Sequence, residues 1–378
     1  MKKVLLVTTI SGFVPQFEMN SVYLLQKNGY EVHYATNYNY VFYGKDNSRL
    51  EGTGIICHQI DFARSPLSKQ NYFAYKQLDK LMTNIRFDVI HCHTPVGGVI
   101  ARLVGKKHNV SKVFYTAHGF HFYKGAPLKN WVIYYWIERL MARYTDALIT
   151  INTEDYHRAQ GFSVKKGGGI YYIPGAGIEV DSIKKIDVNR KEKRQQLGVK
   201  ENDFIILSIG ELNKNKNHEV VIRALSTIKN SRVKYLICGD GIYRQKLERI
   251  VEELGMQQSV KLLGYRSDII EIEKVADVFA FPSYREGLSV ALMEAMASGL
   301  PIIASKIRGN IDLIDPEKNG YLLSPQDVKQ WKKCISYILK NTDCLEEMRL
   351  NNLEKIKKYD KKEIKKILEK VYEDQKII

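Results

Sequence analysis

Short apolar runs alternate with helix-length segments through most of this 378-residue chain, and that order leaves few folds open. In the first half the runs are 4–10, 31–36, 54–60, 88–93, 112–116, 147–151 and 170–173, with helices expected across 15–28, 68–85, 96–108 and 128–143. A strand covered on both faces reads as a near-continuous apolar run, and parallel neighbours need a crossover long enough to hold a helix. The pattern predicts a doubly wound parallel sheet with helices on both faces.

The alternation pauses at 181–200, where Lys184, Lys185, Arg190, Lys191, Lys193 and Arg194 crowd a polar stretch, and then restarts. Strands are expected at 204–209, 234–238, 260–263, 278–280 and 301–304, and helices at 217–227, 244–254 and 288–298. The fold class is α/β. Two Rossmann-like domains are expected at 1–178 and 179–345, linked through the charged stretch, with the ligand in the crevice between them. Residues 346–378 form a helical tail expected to pack back toward the N-terminal domain. The tail's lysines alternate with Glu354, Glu363 and Glu369, as on a solvated helix face.

The cysteines Cys57, Cys92, Cys238, Cys334 and Cys344 are scattered without a C-x-x-C, which indicates neither a disulfide framework nor a structural zinc cluster. The apolar run behind Met1-Lys2-Lys3 ends at Ser11-Gly12 without a small-residue cleavage site and reads as a first strand, not a signal peptide. No stretch reaches the roughly 18 apolar residues that span a bilayer. Net charge is +16, and residues 1–178 hold 21 Lys and Arg against 11 Asp and Glu. Such an excess suits an anionic partner, whether nucleic acid, lipid headgroups or a phosphorylated substrate.

The most specific chemistry lies between Phe281 and Gly299, where Glu286 and Glu294 stand eight positions apart, the second among Leu292, Met293, Ala295 and Met296. A carboxylate in an apolar helix needs a partner, and a hydroxyl-rich ligand supplies one. Gly287, Leu288 and Ser289 fall where the helix starts, so their amides and the helix dipole suit a phosphate. The structural alternative has Glu286 capping the helix and Glu294 meeting a neighbouring cation. Upstream, Gly210-Glu211-Leu212-Asn213-Lys214-Asn215-Lys216-Asn217 is a polar turn after a strand, with Lys216 a point charge for a diphosphate and Lys214 a second candidate. Gly239 and Gly264, the latter followed by Tyr265 and Arg266, end two more strands and allow close backbone approach.

In the first half His118 ends a strand as a candidate substrate-facing group, against the alternative of a satisfied core histidine. His91 and His93 share one strand face, but no third ligand is fixed nearby and no metal site is assigned. The segment 131–137 (Trp131, Tyr134, Tyr135, Trp136), flanked by Lys124, Lys129, Arg139 and Arg143, suits a membrane interface on one face and the sheet on the other.

These motifs resemble the family 4 glycosyltransferases of GT-B fold, particularly those that build bacterial capsule, exopolysaccharide and lipid-linked glycans, and the resemblance covers essentially the whole chain. It rests on Glu286-x7-Glu294, on the turn from Gly210 to Lys216-Asn217, and on His118-Gly119. The resemblance implies transfer from a nucleotide diphosphate sugar, usually UDP-linked, with retention of configuration and no cofactor or bound metal. Lys216 would hold the diphosphate with the amides of Gly287 to Ser289, Glu294 the ribose hydroxyls and Glu286 the donor sugar. His118 would touch that sugar near its reacting face, and Leu263 to Tyr265 the base.

Two positions depart from the family pattern. Glu211 stands where many members have Arg, which shifts the diphosphate charge onto Lys216, Lys214 or Arg266; and Thr9-Ile10-Ser11-Gly12-Phe13 keeps one glycine, Gly12, of the usual pair. The expected acceptor is a lipid-linked sugar or oligosaccharide, with no nucleic acid partner and a cytoplasmic location on the inner membrane face. A nucleotide-sugar epimerase of the same fold and a non-catalytic basic subunit are the alternatives, and acceptor dependence separates them.

Overall fold

Seven strands build the sheet of one unit: β1 (Lys2–Val7), β2 (Tyr30–Thr36), β3 (Ile56–Gln59), β4 (Val89–Cys92), β5 (Lys112–Ala117), β6 (Ala147–Thr150) and β7 (Gly169–Tyr172). In this computed structural model, which describes every residue except Phe42, Lys45 and Lys229, they lie in the order β3-β2-β1-β4-β5-β6-β7, all parallel. Register puts Val4 opposite Val32 on one side and Val89 on the other. Successive side chains point to opposite faces, so Leu5 and Val7 join one core with Ile90, Ala101 and Val104, while Val4 and Leu6 join a second with Val32 and Phe114. Fully burying each such side chain contributes about 1.5–3 kcal/mol. The C-terminal helix Lys361–Asp374 adds Ile364, Leu368, Val371 and Tyr372 to this second core, a spacing that forms one helical stripe.

The other unit holds β8 (Phe204–Ile209), β9 (Val233–Cys238), β10 (Val260–Gly264), β11 (Val278–Phe281), β12 (Ile302–Ser305) and β13 (Gly320–Leu323) in the parallel order β10-β9-β8-β11-β12-β13. Helix Val290–Ala297 buries Leu292, Met293 and Met296 in the core that also takes Phe279, Phe281 and Ile302. In both sheets the strand order reverses beside the first strand of the unit, between β1 and β4 and between β8 and β11.

Several expectations change. The units are Met1–Ala176 with Lys361–Ile378, and Gly177–Asp360, so they part at neither 178 nor 345. Helix Cys344–Lys355 stays with the second unit because buried Asn352 donates to the carbonyls of Leu300 and Asn319, each at 2.8 Å, and accepts from Asn319 Nδ2 at 3.0 Å. The charged stretch is no linker: it forms helices Val180–Lys185 and Arg190–Gln196 within that unit. There buried Arg194 donates to the carbonyls of Glu201, Asp203 and Val275 and pairs with Asp277 at 2.8 Å.

Two elements differ from the pattern. β13 has only four residues, mostly half-buried at a sheet edge, too short to announce itself by alternation. The helix expected across 15–28 breaks at Glu18 (φ −120°, ψ 10°) into Phe13–Phe17 and Met19–Lys27.

Candidate active site

Five of the predicted donor groups come from the carboxyl ends of four adjacent strands in the second unit. Gly210 follows β8, Gly239 follows β9, Gly264 closes β10, and Glu286 and Gly287 lie beyond β11. Ligands bind outside the carboxyl ends of such strands where the order reverses, and Lys216 and Glu286 descend from the two strands that flank the reversal. Their side chains meet: Lys216 Nζ donates to Glu286 Oε1 at 2.8 Å, with the ammonium 4.9 Å from the centre of the Phe281 ring.

Backbone stitching fixes the two loops to each other. Asn215 Nδ2 donates to the Arg285 carbonyl at 2.9 Å, and the Tyr284 amide donates back to the Asn215 carbonyl at 2.8 Å. Asn217, left-handed at φ 53°, donates to the carbonyls of Pro282 and Pro325 at 3.1 and 2.7 Å. Glycine is required where the turns touch: at Gly239 (φ +141°) a Cβ would lie 2.0 Å from the Gly210 carbonyl oxygen, and at Gly309 (φ +81°) it would lie 2.2 Å from that of Gly287.

Helix Val290–Ala297 begins one residue past the predicted phosphate segment. Ser289 is its N-cap and accepts from the Leu292 amide at 3.3 Å, which leaves Gly287, Leu288 and Ser289 ahead of the first turn. Arg308 Nε donates to the Glu286 carbonyl at 3.2 Å, a further cation at this loop that lies outside the sequence motifs. Glu294 is half-buried rather than enclosed. Its carboxylate neighbours Glu273, which is fully buried, accepts from Ser298 Oγ at 2.5 Å and is driven well above the usual carboxyl range by burial, with the Glu294 charge adding to the rise.

Other candidates are placed less favourably. Arg266 is committed to Asp268 in a two-pronged ion pair that also takes Lys193, so it is not an open replacement for the missing arginine. Lys214 is exposed, and Tyr265 stands 77% exposed at the end of β10, accessible to a stacking base. Gly12 belongs to the first unit, where it caps Phe13–Phe17 with an ordinary φ of −73° that any residue adopts.

His118, also in the first unit, follows β5 and sits edge-on to Phe13 with ring centres 4.7 Å apart. Beside it the structure brings His93 and Glu18, a carboxylate that lies outside the sequence motifs. Burial raises the Glu18 pKa, but His93 and His118 outweigh it and bring the carboxyl down to about 2. His91 is pushed down to about 4 by burial and is held between Thr116 Oγ1 at 2.8 Å and Tyr372 OH at 3.2 Å. Glu18 was legible on the argument used for Glu294: it stands among Phe13, Val14, Phe17 and Met19, where an acid needs a partner.

The first unit also holds a cavity of about 480 Å³, walled by Ile10, Phe13, Ile100 and Ile137, with Arg64 and His121 on its lining. The helical segment over it divides its side chains as expected. Trp131, Tyr134 and Tyr135 pack against the core, while Val132, Ile133, Trp136 and Leu140 are exposed. Residues 131–135 form a π-helical turn. Among the described residues no helix is long and apolar enough to cross a membrane.

Comparison with known proteins agrees with this architecture. Residues 3–152 match the family model "Glycosyl transferase 4-like" and residues 189–363 match "Glycosyl transferases group 1". A Bacillus subtilis (strain 168) protein named "Putative glycosyltransferase EpsD" is 36% identical over 342 residues, covering 89% of this chain and 87% of its own. The Escherichia coli UDP-Gal:alpha-D-GlcNAc-diphosphoundecaprenol alpha-1,3-galactosyltransferase is 30% identical over 271 residues, 70% of this chain and 69% of its own. Among solved structures, Anabaena HepE in complex with UDP-glucose superposes with a TM-score of 0.79 at 19% identity, over 99% of this chain and 100% of that one. The lipopolysaccharide outer core galactosyltransferase WaaB, in its apo form, does so with a TM-score of 0.74 at 18% identity, over the same shares. Two parallel Rossmann-like sheets, the paired Lys216 and Glu286, and these matches along the chain place it among the group 1, family 4-like glycosyltransferases of GT-B fold.

Proposed function

We propose that the chain transfers a sugar from a UDP-linked donor to a lipid-linked sugar acceptor, with retention of configuration, in the synthesis of a bacterial surface polysaccharide. One observation carries the donor half: Lys216 Nζ and Glu286 Oε1 are 2.8 Å apart, immediately before a helix that starts behind Gly287 and Leu288. A diphosphate would draw on Lys216 and the amides of Gly287 to Ser289, leaving Glu286 to accept from sugar hydroxyls and Glu294 from the ribose. In this reading Tyr265 lies against the base and His118 touches the donor sugar.

Charge growing on the leaving diphosphate is met by groups already aimed at it, so the reading asks for no metal ion at that step. The acceptor hydroxyl attacks from the face the diphosphate leaves, and a phosphate oxygen takes its proton. HepE is solved in complex with UDP and with UDP-glucose, and the E. coli relative is named for UDP-Gal and a diphosphoundecaprenol acceptor, which supports both halves.

The lipid side draws its support from the first unit. Its apolar cavity shares Ile137 with the exposed stripe of Val132, Ile133, Trp136 and Leu140, and Lys124, Lys129, Arg139 and Arg143 flank that stripe. An isoprenoid diphosphate needs such a combination of apolar wall, cationic rim and access from a bilayer surface.

A thermal-shift panel tests the donor assignment. UDP-sugars should raise the melting temperature, with a stabilisation that grows as the logarithm of ligand concentration and reaches about 2.7 kcal/mol at 100 times Kd, while ADP- and GDP-sugars should not. Stabilisation by a purine nucleotide sugar alone would overturn it. The anomeric configuration of the product, read by NMR, tests retention.

A further inference from the structure

The turn that follows β12, 306–310, forms a wall against which the loop carrying Glu286 is set. Buried Arg308 donates from Nε to the Glu286 carbonyl at 3.2 Å. The next carbonyl, that of Gly287, faces Gly309, where an added Cβ would lie 2.2 Å from its oxygen and 2.9 Å from its carbon. The wall is itself anchored: the Lys306 amide donates to the Leu323 carbonyl of β13 at 2.6 Å, and fully buried Asn310 donates from Nδ2 to the Ser305 carbonyl at 2.9 Å.

A trans peptide is planar, with its N–H directed opposite to its C=O. The peptides 286–287 and 287–288 both turn their carbonyls to this wall, so the N–H groups of Gly287 and Leu288 leave together on the other side. A regular strand would send consecutive amides to opposite sides. Among the described residues neither amide has an acceptor, although both residues are half-buried. Backbone donors withdrawn from water are nearly always paired, and consecutive N–H groups on one side form a concavity that takes an anion.

We infer that Arg308 is a positioning residue for sugar transfer: by holding the Glu286 carbonyl it aims the Gly287 amide at the donor diphosphate, while Gly309 leaves room for the Gly287 carbonyl and so aims the amide of Leu288. The assignment rests on the donor reading above, which gives those amides to the diphosphate, and adds the side chain that orients them. Arg308 Nε is committed to the carbonyl. Its contribution therefore passes through the peptide and requires a donor at that point rather than a charge. Glutamine carries its amide nitrogen as many bonds from the backbone as arginine carries Nε, and supplies that donor uncharged.

The test compares the affinity of the purified full chain for UDP, by calorimetry, with that for uridine, by NMR titration. Arg308→Met should weaken UDP at least about tenfold, the scale of a hydrogen bond to a charged group, and leave uridine within about twofold because uridine has no phosphate for the amides to meet. Arg308→Gln should keep UDP within about threefold of wild type. UDP affinity unchanged in Arg308→Met overturns the assignment, as does an equal loss of uridine, which marks a general structural role, or an equal loss in Arg308→Gln, which marks a charge effect. If Arg308→Met does not fold, Gly309→Ala decides: it displaces the Gly287 carbonyl and should lower UDP affinity but not uridine affinity, and unchanged UDP affinity counts against the assignment. Lys216→Ala is measured alongside. Loss of UDP there with none in Arg308→Met removes only the positioning role, whereas no loss in either removes the donor reading.

Discussion

Lys216 and Glu286 form an ion pair of 2.8 Å although 70 positions separate them, because the loops after β8 and β11 are hydrogen-bonded to each other through Asn215 and Asn217. Each charge thereby tunes the other. The carboxylate fixes the ammonium in place, and it also opposes an arriving diphosphate unless sugar hydroxyls take up its oxygens.

That opposition separates two variants. Lys216→Ala should lower both UDP affinity and kcat/KM, the latter at least tenfold, or about 1.4 kcal/mol. Glu286→Gln should tighten UDP itself by roughly two- to tenfold through loss of repulsion and still lower transfer at least tenfold. Calorimetry with UDP and initial rates with the donor sugar check the pair. Transfer by Lys216→Ala within about threefold of wild type would remove its assigned role.

Gly239→Ala tests the close approach of the turns after β8 and β9. A Cβ there would lie 2.0 Å from the Gly210 oxygen, so the turns must separate. Strain of this kind costs about 1–3 kcal/mol, and donor affinity should fall with stability. Unchanged denaturant midpoint and unchanged donor KM would show that the contact is dispensable.

Glu273 gives the second unit a pH dependence. Burial raises its folded-state pKa above the unfolded value of 4.5, so the folded state retains a proton that the unfolded state releases. Its contribution to stability is therefore complete below pH 4.5 and declines as pH rises toward the folded pKa, at most by about 1.4 kcal/mol per pH unit. Glu273→Gln should raise stability at pH 7.5 and flatten the decline above pH 4.5. Parallel profiles for variant and wild type would contradict this.

The helix at 131–142 should hold the protein to anionic vesicles. Ile133→Ser with Trp136→Ser removes two residues that are 51% and 58% exposed and should weaken co-sedimentation at least tenfold without changing the melting temperature. Retained sedimentation would place membrane contact elsewhere.

Much of this was legible in the sequence because the relevant signals are local. A buried parallel strand announces itself as an apolar run, and Lys216, Glu286 and Gly287 follow such runs directly. What escaped depends on tertiary context. Arg194, in a stretch whose charge reads as a linker, is buried because three backbone carbonyls and Asp277 surround it. Arg266 looked open as a diphosphate contact until Asp268, two residues on, proved to occupy it. The partners of Glu18 escaped, though its apolar setting was legible, because the helix break that turns it toward His93 and His118 has no glycine or proline at position 18 to mark it.

The central claim is acceptor-dependent sugar transfer, and the most direct measurement follows a radiolabelled sugar from UDP in the presence of the purified chain, with and without a polyprenyl diphosphate sugar. The account predicts label in the lipid fraction only when acceptor is present, and at least tenfold less with Lys216→Ala. Conversion of the UDP-sugar to its epimer without acceptor, or no transfer to any lipid-linked sugar by a chain that binds UDP, would contradict it.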